Sequence, residues 1–209
     1  MKNQDYLYLD HAASTPMRTS ALEKYVEAES FGFANSSGGH KLSRDSKNLL
    51  EDSREKIAGL FNAAPGEIIF TSGGTEADNW TIKSLFESKK PDDNLVTSNI
   101  EHEAVLASAE WVSINGYQTK YAKSDENGFV SKDEFLNQID DNTKVASLMW
   151  GNNETGVIQP VKDVSKEIKS VNSSTLFHSD VVQGIISVSY THLRAHETRH
   201  DLVCRLLLE

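Results

Sequence analysis

Cysteine is almost absent. Cys204 is the only one in 209 residues, so no intrachain disulfide can staple the fold and stability must come from a packed core. No stretch approaches the ~20 consecutive apolar residues that a membrane-crossing helix needs. Met1–Asp5 opens with Lys, Asn, Gln and Asp where a secretion signal would carry an apolar run. A cytoplasmic location with no membrane partner is therefore the expectation. Positive charge is also scarce: 21 Lys and Arg stand against 31 Asp and Glu, a net charge of −10. A nucleic-acid surface needs clustered cations, so no nucleic-acid partner is expected. Proline occurs only 4 times, and no low-complexity segment or internal repeat is evident. What is there, 38% hydrophobic and 25% charged residues, is the composition of an ordinary globular protein with a sizeable core.

The composition breaks near residue 188. Residues 1–187 hold 15 Lys, 3 Arg and 4 His, whereas residues 188–209 hold no Lys, 3 Arg, 3 His and the lone cysteine. Such a shift without a Gly/Ser/Pro linker reads as a foreign or artefactual tail. The expected organisation is an N-terminal segment 1–20, a body 21–187 and the tail 188–209. The tail contains His196-Glu197-Thr198-Arg199-His200, a literal H-E-x-x-H. On a helix this spacing puts two imidazoles on one face for zinc, so a zinc hydrolase is the remote alternative function.

Along the body, strand-like runs alternate with helical patterns. Glu67–Thr71, Asn94–Ser98, Gln118–Ala122, Lys144–Trp150 and Ser174–His178 read as strands. Arg44–Phe61, Thr75–Ser88, Ala104–Ile114 and a stretch opening at Pro160 read as helices, with apolar stripes such as Val161, Val164 and Ile168. Pro65-Gly66 marks a break. This alternation predicts an α/β fold with a mainly parallel sheet.

In such a sheet, ligands gather beyond the carboxyl ends of the strands. After Glu67–Thr71 comes Ser72-Gly73-Gly74-Thr75-Glu76, a glycine turn opening a helix, suited to an anion with the Thr75 hydroxyl as an extra donor. After Asn94–Ser98 comes Glu101-His102, and a histidine there can stack on a planar ring and move protons. After Lys144–Trp150 come Asn152-Asn153-Glu154-Thr155-Gly156, with two amides for a polar ring substituent. After Ser174–His178 come Asp180 and Gln183; the carboxylate could keep a pyridinium nitrogen protonated. Each signal is weak alone, and the four agree on one kind of ligand.

These segments also resemble a known family. Leu9–Pro16 (LDHAASTP) is similar to the "LDNAATTP" opening of class V pyridoxal-phosphate (PLP) enzymes, with His11 in place of the usual asparagine. Phe33–His40 (FANSSGGH), Ser72–Asn79 (SGGTEADN), Glu101–Val105 (EHEAV), Asn152–Gly156 (NNETG) and His178–Gln183 (HSDVVQ) resemble the corresponding cysteine desulfurase motifs in the same order. The resemblance implies the PLP-dependent transferase fold type I, here a partial large domain whose mainly parallel seven-stranded-type sheet is left incomplete. It implies that Gly74 and Thr75 hold the PLP phosphate, that His102 stacks on the ring and is the catalytic proton carrier, that Asn153 and Gln183 reach the ring hydroxyl, and that Asp180 pairs with the ring nitrogen. Asn35 and His40 are implied near the substrate or a dimer contact. The implied activity is conversion of L-cysteine to L-alanine, with sulfur passed as an enzyme persulfide to an acceptor or iron–sulfur scaffold protein by a homodimer. Selenocysteine lyase or another class V aminotransferase is the alternative within the family.

The family's Schiff-base lysine lies in a Ser-x-His-Lys segment whose expected place, near Arg205–Leu206, holds no lysine. Cys204 does not match the family's sulfur-accepting cysteine. The chain as written is therefore expected to be an inactive fragment.

Overall fold

Apolar spacing and local caps account for most of the secondary structure. The computed structural model describes residues 7–87, 92–184 and 203–204. The chain divides into two compact units, Met1–Ile69 (with Glu209) and Phe70–Leu208.

The first unit carries helices α1 (Thr19–Glu29) and α2 (Lys41–Leu60) and a 3-10 turn at Pro65–Glu67. His40, implied to lie near the substrate or a dimer contact, caps α2 here: its Nδ1 accepts the Ser43 N–H at 3.2 Å. Asn35 likewise closes a turn, its Oδ1 accepting the Ser37 N–H. Pro65 begins the 3-10 turn, where its missing N–H costs nothing. The expected strand at Glu67–Thr71 is absent. Glu67 belongs to the 3-10 turn, and residues 68–71 join no β-ladder among the described residues. Ile69 and Phe70 are 58% and 38% exposed, and a β-ladder needs a neighbouring strand that no described residue supplies here.

The second unit is a three-layer α/β arrangement. Its strands are β1 (Asn94–Ser98), β2 (Gln118–Ala122), β3 (Thr143–Ser147), β4 (Leu176–Ser179) and β5 (Val203–Cys204), all parallel, in the order β2-β1-β3-β4-β5. Helices α3 (Gly74–Ser84), α4 (Glu103–Ile114), α5 (Lys132–Leu136) and α6 (Val161–Val171) complete it. Every residue of β1 is buried, as expected of a central parallel strand covered on both faces. Alternation sorts the side chains: Leu95 and Val145 pack with Ile82, Val105, Ala109 and Val112 of α3 and α4, whereas Val96, Ala146 and Phe177 pack with Phe135, Val161, Val164 and Ile168 of α5 and α6. Gly116, at φ +91°, ends α4 in the left-handed conformation that glycine tolerates. No helix among the described residues is long and apolar enough to cross a membrane.

Several boundaries differ from the sequence expectation by one to four residues, two of them beside the strand ends that matter for function. The strand expected to reach Trp150 stops at Ser147: Leu148 N–H still bonds the His178 carbonyl of β4, but Met149 N–H goes to the Glu101 carboxyl. Helix α3 starts at Gly74 and stops at Ser84. Helix α5 escaped prediction because it is only five residues long; its one sequence signal is the Ser131 cap, which accepts the Glu134 N–H.

Candidate functional site

The strand order changes direction between β1 and β3: β2 lies on one side of β1, and the chain then crosses to build β3 and β4 on the other. The carboxyl ends of adjacent parallel strands at such a point leave a crevice into which loops and helix N-termini converge. His102 follows β1, Asn153 follows β3, and Asp180 and Gln183 follow β4. Four of the six predicted site residues therefore share one sheet edge, and hydrogen bonds tie their loops together.

The Trp150 N–H donates to the Asp180 carbonyl at 2.9 Å, joining the β3 and β4 exits. Asn152 Nδ2 donates to the Ile100 carbonyl at 2.9 Å, joining the β3 and β1 exits. Asn152 Oδ1 also accepts the Glu154 and Thr155 N–H groups, and Gly156 at φ +75° closes the turn on the Asn152 carbonyl. The two adjacent amides thus separate. Asn152 is consumed in bracing the loop, and the half-buried Asn153 amide makes no hydrogen bond among the described residues. Gln183 stands beside the same loop: a Cβ on Gly151 would lie 4.0 Å from its own.

His102 caps α4, its Nδ1 accepting the Ala104 N–H at 3.1 Å. A neutral ring in this arrangement carries its proton on Nε2. The side chain is exposed and so open to a ring ligand. Asp180 is buried, and its Oδ1 accepts the Val182 N–H at 3.0 Å.

Gly74 and Thr75 form the first turn of α3, with Gly74 buried and Thr75 exposed. The leading N–H groups of a helix have no intrahelical acceptor and attract anions. Glu76 competes for part of that terminus: its carboxylate takes the Ser72 hydroxyl and N–H at 2.7 and 2.6 Å, which hold it below the usual carboxylate range. One turn further in, buried Asp78 lies 3.5 Å from His178 Nε2 in β4. This links α3 to the strand that delivers Asp180.

Beneath these groups is a buried polar layer that residue-by-residue reading missed. His178 Nδ1 and Ser147 Oγ are 2.8 Å apart. Glu101 Oε1 accepts Ser98 Oγ–H at 2.7 Å and Met149 N–H at 2.9 Å. Burial, outweighing those hydrogen bonds and reinforced by the charges of Asp180 and Asp78, pushes the Glu101 carboxyl up to about 8. The sequence signal is a carboxyl three residues beyond a buried strand, next to the more conspicuous His102.

Among the described residues no cluster of three or more His, Cys, Asp or Glu could hold a metal. The His196–His200 motif lies outside the described residues.

The aminotransferase class-V family matches residues 7–193. The cysteine desulfurase IscS of Methanosarcina thermophila is 38% identical over 180 residues, 86% of this chain and 44% of that protein. Among solved structures, a NifS-like protein superimposes with a TM-score of 0.82 at 35% identity, covering 85% of this chain and 49% of the other. A structure described as SspA in complex with cysteine gives 0.79 at 32% identity, covering 85% and 51%. The chain spans about half the length of the relatives it matches. PLP is the cofactor of this family, and the residues at the sheet edge fit its parts: a buried carboxylate for a ring nitrogen, an unengaged amide for a ring oxygen, an exposed imidazole for a ring face and helix N–H groups for a phosphate. Both the sheet-edge crevice and the family match lead to the same place: the chain belongs to the aminotransferase class-V family of PLP-dependent enzymes.

Proposed function

We propose that this chain is the cofactor-binding portion of a PLP-dependent cysteine desulfurase, which removes sulfur from L-cysteine, leaves L-alanine and passes the sulfur to an acceptor such as an iron–sulfur scaffold protein. A homodimer and a cytoplasmic location are part of the same reading. The observation that carries it is the tied set of strand exits, in which His102, Asn153 and Asp180 come from neighbouring strands and Trp150 N–H fastens one loop to the next.

When bound, PLP supplies an electron sink for negative charge developing on the substrate. In this reading Asp180 faces the ring nitrogen, and its burial strengthens a charge-assisted hydrogen bond. Asn153 and Gln183 orient the ring by its hydroxyl oxygen. Gly74 and Thr75 hold the phosphate at the start of α3. His102 stacks on the ring and holds a proton at Nε2, the atom its Nδ1 cap leaves outward. No lysine follows Lys169 in the sequence, and residues 188–209 are proposed not to belong with the body. The 209-residue chain alone is therefore expected to bind PLP without turning cysteine over.

Equilibrium dialysis of PLP against the 209-residue chain tests the site. Wild type should take up stoichiometric PLP. Asp180→Asn should bind at least tenfold more weakly, since a hydrogen bond to a charged group is worth about 1.5–3 kcal/mol. Equal affinity of the two proteins would refute the assignment of Asp180. PLP-dependent alanine formation by the chain alone would refute its inactivity.

A further inference from the structure

Glu101 has no role in the reading above, yet it lies where three strand exits meet. It is 6% exposed. Its Oε1 accepts the Ser98 hydroxyl at the end of β1 and the Met149 N–H beyond β3. The next residue in sequence is His102. The residue after Met149 is Trp150, whose N–H holds the Asp180 carbonyl. A continuous path therefore runs from His102 through the Glu101 carboxyl to Met149, Trp150 and Asp180, crossing from β1 to β3 to β4. The second brace between the β1 and β3 exits, Asn152 to Ile100, acts on main chain adjacent to Glu101. The other carboxyl oxygen, Oε2, is buried with no hydrogen-bond partner among the described residues.

We propose that Glu101 is a positioning residue which, by bonding across the β1 and β3 exits, sets the spacing between the His102 imidazole and the Asp180 carboxylate and so the width of the slot that receives the PLP ring. This rests on the PLP reading. The work is done by a hydrogen-bond acceptor, not by a negative charge. Asp180 and Asp78 are the charged groups that bear on Glu101, with His178 3.5 Å from Asp78. A buried carboxyl with no salt-bridge partner among the described residues, beside two carboxylates, is most stable neutral. An acceptor of the same shape should therefore replace it, and an apolar side chain of similar size should not, because Met149 N–H and Ser98 O–H would be left buried and unbonded.

The test compares wild type, Glu101→Gln and Glu101→Leu in the full 209-residue chain by two measurements. The first is amide exchange and pH titration of the Met149 and Trp150 N–H resonances without cofactor. The second is PLP affinity by spectrophotometric titration. The Met149 resonance should titrate with the carboxyl in wild type and lie flat in Glu101→Gln, with protection retained. Glu101→Gln should bind PLP within about threefold of wild type, and Glu101→Leu at least tenfold more weakly, with faster exchange at both amides. Wild-type affinity in Glu101→Leu would overturn the proposal. So would equal losses in both variants, or a Met149 amide in wild type blind to the carboxyl. Should Glu101→Leu fail to fold, the wild-type titration and the Glu101→Gln affinity still decide. If wild type binds no PLP at all while Met149 titrates as expected, it is the cofactor reading that fails, not the brace.

Discussion

Glu101→Gln should flatten the pH dependence of stability. In the folded protein this carboxyl is pushed by burial from an ordinary value of 4.5 to about 8. A group whose folded-state value is raised contributes stability that is fully present below its unfolded value. That stability is lost as pH rises through the folded value. The window for Glu101 therefore runs from about pH 4.5 to about pH 8. At ~1.36 kcal/mol per pH unit across that window, the loss is on the order of 5 kcal/mol, comparable with the whole stability of a small domain. Because the carboxyl is buried, solvent screening does little to reduce it. Glutamine keeps the acceptor for Met149 N–H and Ser98 Oγ and cannot ionise. The assay is native-state hydrogen exchange of β1 and β3 amides at several pH values between 5 and 9. It reads the opening free energy of the sheet itself and does not require the two compact units to unfold together. Wild type should lose protection across the window relative to Glu101→Gln, with a difference slope approaching one proton. Parallel profiles would show that Glu101 ionises in the folded protein without cost and would refute the burial reasoning.

Gly184→Ala should destabilise the second unit by about 1–3 kcal/mol through overpacking, because its Cβ would fall on the Trp150 indole, 2.7 Å from Cδ2 and 3.0 Å from Cζ3. Gly66→Ala meets nothing within 4 Å and serves as the control; urea midpoints that fall equally for both would contradict the packing. Asp140 should make the acid limb steeper. Burial raises it, but hydrogen bonds from Lys120, Asn94 and Thr143 outweigh that and hold it down at about 2. Its contribution is present above 3.8 and is lost as pH falls through about 2. With its side chain 46% exposed, the effect is small, and Asp140→Asn should flatten the acid unfolding curve below pH 4 without moving the neutral region.

The class of fold and the inventory of chemistry are legible in the order of the amino acids. The short run Asn94–Ser98 suits a strand covered on both faces, and the Val161, Val164 and Ile168 stripe carries the 3.6-residue period of a helix. Motifs at successive strand ends named Gly74, Thr75, His102, Asn153, Asp180 and Gln183. The strand expected at Glu67–Thr71 shows the limit of such reading: a short apolar run becomes a strand only if a neighbour offers its ladder, and pairing is not a local property. The tertiary structure alone decided how the named residues are held. It separated Asn152, which braces a loop, from Asn153, whose amide stays unengaged. It also revealed Glu101 and the Asp78–His178 pair as the buried layer under the site. The physical reason is that a hydrogen bond between residues 48 apart in the chain, such as Met149 N–H to Glu101 Oε1, leaves no mark on either neighbourhood and comes into being only when two strands lie side by side.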